Sequence, residues 1–342
     1  MSSPNPQMLA ADAQWFPARF DAANGAIRFD RLDRSAHAGV TFLDEEYLAP
    51  LNLEKATASV ASLDRELQRP GQPLHFVFHS AFAASTLLAR ALDVPGRSLG
   101  LKEPQVLNDV AQALRVGAVD QRAFATLLSL LARPYAPGEI NVVKPSNVVN
   151  VMAPALLDAD ARSKAVFLYA PLARFLRSIA DKGLFGRRWG RRLFAQLSAD
   201  TGLDFGLPES ERFELTDLQA ASLGWMMHHA QAASLMDQFP DRVRSIDSET
   251  FLARRSETLS IMSDFFGLGI DDAEASEIAN GDVFKTHSKE LGRAFDPEQP
   301  LQPKAAVPIF DEEIGMIEKW VEAVAASAGL PMELPRQSRL FR

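Results

Sequence analysis

The chain has 342 residues, 47% hydrophobic and 23% charged, an ordinary balance for a globular protein with room for a sizeable buried core. Its 36 Lys and Arg against 44 Asp and Glu leave a net charge of −8, which argues against a general nucleic-acid coat but leaves room for a local basic groove holding an anionic ligand. Cysteine is absent, so disulfide scaffolds, thiolate zinc sites, iron–sulfur clusters and cysteine nucleophiles are excluded.

The opening MSSPNPQMLAADAQW lacks a basic n-region and an uninterrupted apolar h-region. No stretch approaches the roughly 20 apolar residues of a membrane-spanning helix. A cytoplasmic protein with no membrane partner is expected.

Residues 1–52 read as an irregular N-terminal extension packed on the core, with short strands at 26–32 (AIRFDRL) and 40–43 (VTFL). Trp15 and Phe16, ahead of Pro17, read as a hydrophobic clasp onto the main body. Residues 53–342 form the main domain. Over 53–69, LEKATASVASLDRELQR has helical spacing, and Pro70-Gly71 ends it.

Beyond that point the chain alternates. LHFVFH (74–79) is a short apolar run, followed by small residues and the helix STLLARALD (85–93). SLGLKE (98–103) reads as a strand, with helical patterns at 104–116 and 120–132. INVVK (140–144) and KAVFLYA (164–170) are further buried strands, each followed by a helix. Two more helices precede RVRSID (242–247), the last strand, and the basic tail PRQSRLFR reads as mobile. Short apolar strands separated by helices predict an α/β fold: a three-layer parallel sheet flanked by helices, with extra helices toward the C-terminus.

The loop His79-Ser80-Ala81-Phe82-Ala83-Ala84-Ser85-Thr86 has the composition of a phosphate cradle. Small side chains let an anion approach the backbone, the first N–H groups of the next helix lack internal partners, and Ser80, Ser85 and Thr86 add hydroxyl donors. The same residues also suit a close-packed strand-to-helix turn with Ser85 or Thr86 as its cap. The Gly-Lys pair of a Walker A loop is missing, which argues against ATP hydrolysis.

The run from this loop through Ser85-Thr86-Leu87-Leu88 resembles the 5′-phosphosulfate loop and helix of the P-loop sulfotransferases. Leu101-Lys102-Glu103-Pro104 is similar to the family's Leu-Arg-Glu-Pro segment, and Lys144-Pro145-Ser146-Asn147 to its Lys-(Thr/Ser)-Pro strand end. Phe167-Leu168-Tyr169 with Ser178 resembles the strand and helix of the 3′-phosphate site, and His287-Ser288-Lys289 the late loop over the nucleotide. The matches fall in order over about residues 74–290. The resemblance implies a P-loop α/β domain using 3′-phosphoadenosine-5′-phosphosulfate (PAPS) as donor, without a metal. It implies donor contacts from Ser80, Ala81, Phe82, Ala83, Ala84, Ser85, Thr86, Ser178 and Lys289. The chain departs from the pattern at Phe82, where the family has a basic residue, at Ala84, where it has glycine, and at Ala170, where it has arginine.

Arg174, four residues before Ser178, shares its helical face and is the candidate to replace the charge missing at Ala170. For a lone charge, an exposed arginine on a solvated helix is the plainer explanation. Gly186-Arg187-Arg188-Trp189-Gly190-Arg191-Arg192 reads as a lid over an anionic ligand, or as a solvated helix start. Glu103 is the candidate base, and Lys144 the candidate cation on the leaving oxygens. His79 is the alternative base. A carboxylate paired with Lys102, or capping the helix that starts near Pro104, accounts equally for Glu103; a structural ion pair accounts for Lys144, and a hydrogen-bonded histidine under the loop for His79.

Three functions remain open at this point. One is a divergent sulfotransferase acting on a hydroxyl or amine of a small-molecule, carbohydrate or peptide acceptor. Another is a kinase-like transferase with ATP and Mg²⁺, and the last a non-catalytic nucleotide-binding or scaffold member. No nucleic-acid partner is expected, and the oligomeric state cannot be read.

Overall fold

The computed structural model describes residues 4–67, 71–285 and 308–341. Near the N-terminus, β1 (Trp15–Asp21), β2 (Ala26–Arg31) and β3 (Lys55–Ser59) form an antiparallel sheet in that order. The β1–β2 turn is closed by the Asp21 carboxylate, which accepts from the N–H groups of Ala23 and Asn24 at 3.0 and 3.2 Å. Trp15 and Phe16 are buried, within β1.

Two readings of this region are corrected. Residues 53–69 are not one helix: Lys55–Ser59 alternates exposed and half-buried residues and pairs with β2, from Ala26 opposite Ser59 to Asp30 opposite Lys55. Backbone pairing overrides a helical spacing that only the second half satisfies. The helix is Val60–Glu66, capped by the Ser59 hydroxyl, which accepts from the Ser62 N–H at 3.2 Å. The β2–β3 ladder therefore runs across position 52/53. Residues 40–43 form no strand. Leu43 is instead buried as an irregular anchor, its N–H donating to the Lys102 carbonyl at 2.8 Å and its carbonyl accepting from the Gln105 N–H at 2.9 Å.

The second sheet contains β4 (Leu74–His79), β5 (Ser98–Lys102), β6 (Ile140–Lys144), β7 (Ala165–Tyr169) and β8 (Val243–Asp247), in the order β5-β6-β4-β7-β8. Leu74 lies opposite Asn141 and Lys102 opposite Lys144, both in parallel register. Every residue of β4, β5 and β6 is buried, which accounts for their uninterrupted apolar reading. The chain has the expected α/β fold, a parallel sheet flanked by helices. Parallel strands send their C-terminal ends to one edge, so β4, β5 and β6 share the edge where such folds bind ligands.

The chain divides into two compact units. The first comprises the described residues within Met1–Val77, Thr86–Ala165 and Arg255–Phe295. Here the buried Arg133 guanidinium donates to the carbonyls of Leu9, Asp12 and Trp15, tying the N-terminal segment to the end of the helix Gln121–Leu131. A Cβ on Gly100 would lie 2.1 Å from the Ala89 carbonyl oxygen, so the helix backbone packs directly on β5. Lys102 is fully buried, and its ammonium donates to the carbonyls of His37 and Ala38, closing the end of the helix Arg34–Gly39.

The second unit comprises the described residues within Phe78–Ser85, Val166–Arg254 and Asp296–Arg342. Three helices, not two, separate β7's own helix (Leu172–Asp181) from β8: Gly183–Thr201, Glu209–Glu214 and Asp217–Gln238. The expected lid at 186–192 is the first half of the helix Gly183–Thr201, and its glycines are packing contacts rather than hinges. A Cβ on Gly186 would meet the Ile179 carbonyl oxygen at 2.3 Å, and one on Gly190 would meet the Ala221 Cβ at 2.7 Å. The tail is docked, not loose. Leu340 donates its N–H to the Ser245 carbonyl at 2.8 Å, and Phe341 lies under the Arg254 guanidinium.

Candidate functional site

Among the described residues, the loop after β4 gathers the most left-handed backbone outside glycine. Ala81, Phe82 and Ala84 have φ values of 70°, 52° and 59°, the left-handed region that residues with a Cβ avoid. Such strain persists only where the surroundings over-determine it, and it concentrates at binding sites. Ser80 and His79 provide the bracing. The buried Ser80 hydroxyl accepts from the Ala170 N–H at 3.2 Å and donates to the Ala81 carbonyl, while the Ser80 N–H donates to the Leu168 carbonyl. His79 Nδ1 accepts from the Ala81 N–H at 3.0 Å, which places the imidazole proton on Nε2.

These bonds assign two expected site residues to structure: Ser80 spends its hydroxyl on the loop itself, and His79 holds the loop from below. What remains is different. The N–H groups of Ala83 and Ala84 donate no hydrogen bond to a described residue, and the hydroxyls of Ser85 and Thr86 make none. Four donors are thus left over in four successive positions, a concave arrangement suited to an anion.

Around the loop, the second unit contributes aromatic rings where charges were expected. Phe82 packs edge-on against Trp189, with ring centres 5.0 Å apart, and tilted against Phe175 at 5.9 Å. Ala170 is fully buried, and its carbonyl accepts from Trp225 Nε1 at 2.8 Å. Trp225 stacks on His229 at 3.5 Å, and His229 meets the Tyr169 ring at 5.0 Å. The His229 Nδ1–H donates to the Trp225 carbonyl, and burial pushes its pKa down to about 3, so the ring is neutral. Trp225, Met226 and His229 are buried residues of the helix Asp217–Gln238.

Arg174 and Ser178 share a face of the helix Leu172–Asp181 as expected, but both already have partners. Arg174 lies 3.7 Å from Glu249, a loose exposed pair, and Ser178 donates to the Arg174 carbonyl at 2.9 Å. Arg177 pairs with Asp311. Lys289 lies outside the described residues.

In the first unit, Glu103 and Lys144 form an ion pair. Lys144 is 1% exposed and its ammonium also sits 5.3 Å from the centre of the Phe42 ring. Burial pushes the Lys144 pKa down, and Glu103 opposes that shift. Glu103 follows β5 with φ 50°, a fourth left-handed residue, and its N–H donates to the Lys144 carbonyl at 2.7 Å. The Glu103 side chain is 24% exposed, and its second carboxylate oxygen has no described partner. That oxygen can accept a proton while Lys144 holds the first. No group of three or more His, Asp or Glu side chains suited to a metal occurs among the described residues. No helix of the described residues is long and apolar enough to cross a membrane.

Sequence reading missed the Trp225–Ala170 bond, the Lys102 cap and the packing of Phe82. Each joins residues more than 50 positions apart or turns on a side-chain direction, and no local spacing signals it.

No protein-family model and no curated protein matches the chain. Among solved structures it is similar to a sulfotransferase domain from the curacin biosynthetic pathway, with 19% identity and a TM-score of 0.43, covering 78% of this chain and 100% of that one. It is also similar to a sulfotransferase from Alicyclobacillus acidocaldarius, with 16% identity and a TM-score of 0.40, covering 77% and 98%. A retinol dehydratase in complex with androsterone and the inactive cofactor PAP gives 16% and 0.40, covering 81% and 86%. At these values no residue's role is carried over to this chain.

Proposed function

We propose that the chain is a divergent sulfotransferase-like enzyme that moves a sulfuryl group from PAPS to a hydroxyl or amine. The observation that supports this most is the strained loop 81–84, with the free N–H groups of Ala83 and Ala84 followed by the free hydroxyls of Ser85 and Thr86. In this reading those donors hold the 5′-phosphate. The acceptor oxygen or nitrogen attacks the sulfur in line, the bond from sulfur to the bridging oxygen breaks, and the loop donors stabilise the charge that builds on that oxygen.

Glu103 is the proposed base for the acceptor proton, through the carboxylate oxygen that Lys144 leaves unoccupied. Lys144 acts in this reading on Glu103, fixing its orientation. The acceptor is a small molecule, carbohydrate or peptide, and the donor is a co-substrate needing no metal.

A second reading has its own observation. Position 170 carries a fully buried alanine where the resembled family has arginine, which favours a non-catalytic nucleotide-binding member. Calorimetric titration with 3′-phosphoadenosine-5′-phosphate (PAP), with ATP and Mg²⁺ in parallel, tests both. Micromolar binding of PAP without metal corresponds to about −8 kcal/mol and supports a donor site. Release of PAP from PAPS in the presence of a phenol or amine then separates enzyme from binder. ATP binding that requires Mg²⁺, with none for PAP, overturns the proposal.

A further inference from the structure

Resting on that donor reading, the loop still lacks a cation: the position expected to carry one is Phe82. We propose that Lys182 supplies this charge to the donor's 5′-phosphate from the second unit's own helices, and that Phe82 is the residue that positions it. The Lys182 ammonium lies 5.7 Å from the centre of the Phe82 ring, within cation–π range. Phe82 in turn cannot swing freely, because Trp189 and Phe175 grip its ring and its backbone is left-handed.

Lys182 also has charge to spare. Its neighbours Arg174, Arg177 and Arg187 face Glu249, Asp311 and Glu313, whereas Lys182 is exposed and pairs with no carboxylate among the described residues. Its stem is held in place by the corner between two helices. The Lys182 N–H donates to the Ile179 carbonyl at 3.2 Å, Gly183 turns the chain with φ 57°, and a Cβ on Gly186 would stand 2.8 Å from the Lys182 Cβ. Glycine at 186 is what leaves room for the lysine stem. An ammonium so placed, over a ring that borders four free donors, completes a site for a phosphate bearing more than one negative charge.

The test is PAP titration of the whole chain and of Lys182→Met and Lys182→Arg. Methionine keeps the apolar stem over the ring and removes the charge, while arginine keeps the charge. The expected result is a Kd about tenfold higher or more for Lys182→Met, the loss of one hydrogen bond between charged groups, with Lys182→Arg close to the parent. The melting temperature of both variants stays close to that of the parent, because the side chain is exposed and forms no ion pair among the described residues, so the change is in binding and not in folding. Phe82→Leu, which removes the ring but not the lysine, weakens PAP binding as well, and adding Lys182→Met to it costs less than Lys182→Met alone. Parent-like affinity in Lys182→Met overturns the assignment of Lys182 and leaves the donor reading standing. Absence of PAP binding in the parent overturns both.

Discussion

If the loop 81–84 is as strained as its angles show, removing a Cβ there stabilises the protein. A residue with a Cβ costs about 1–2 kcal/mol in the left-handed region. Glycine escapes that cost but loses about 0.5–1 kcal/mol through its greater freedom in the unfolded chain. At Ala84, with φ 59° and a half-buried side chain, the difference leaves a gain of about 0.5–1 kcal/mol for Ala84→Gly. At Ala81, with φ 70°, the methyl is buried, and its lost contacts of about 0.8 kcal/mol cancel most of the gain. Ala83 is the internal control. It is buried and is not left-handed, so Ala83→Gly carries the glycine penalty and the lost methyl with no relief, and destabilises by about 1–2 kcal/mol. The two substitutions are chemically identical and adjacent, yet their effects on the urea midpoint have opposite signs. Equal destabilisation by both would refute the strained loop and the binding argument built on it.

Glu103→Ala leaves the Lys144 ammonium, 1% exposed, without its counter-charge and costs about 3–5 kcal/mol by denaturant unfolding, while Lys144→Met, which leaves a partly exposed carboxylate, costs less. Trp225→Phe deletes the donor to the buried Ala170 carbonyl and lowers stability by about 1–3 kcal/mol without touching the loop donors. Burial pushes the pKa of His75 and His228 down to about 4 and that of His229 to about 3, so these rings are neutral when folded but protonate near 6.5 when unfolded. Their stabilisation is complete above pH 6.5 and drains away as the pH falls toward 4, by about 3 kcal/mol for each ring. The melting temperature therefore drops steeply across that window, and a flat profile would contradict it.

The strands of the central sheet were legible because each is a short apolar run buried on both faces, and LHFVFH coincides with β4 at both ends. β3 was not, because Lys-Ala-Thr-Ala-Ser has weak strand character and its pairing with β2 is invisible to local spacing. The loop could be picked out by its small residues, but composition alone does not show that its glycine-like angles are carried by alanine and phenylalanine. Glu103 and Lys144 were each readable as strand-end residues, and their pairing follows from the parallel register that puts Lys102 opposite Lys144. The run 186–192, readable as a lid or as a helix start, is helical, and only the Cβ distances from Gly186 and Gly190 to Ile179 and Ala221 reveal its close helix packing.

In the donor reading, the unpartnered N–H groups of Ala83 and Ala84 hold the donor's phosphate. Backbone amide spectra of the ¹⁵N-alanine-labelled chain, recorded while PAP is added, address it directly. The Ala83 and Ala84 amide protons are expected to move downfield together and saturate at the calorimetric Kd, as N–H groups taking up a charged acceptor do. Binding of PAP that leaves both signals in place would contradict it and move the donor site elsewhere in the chain.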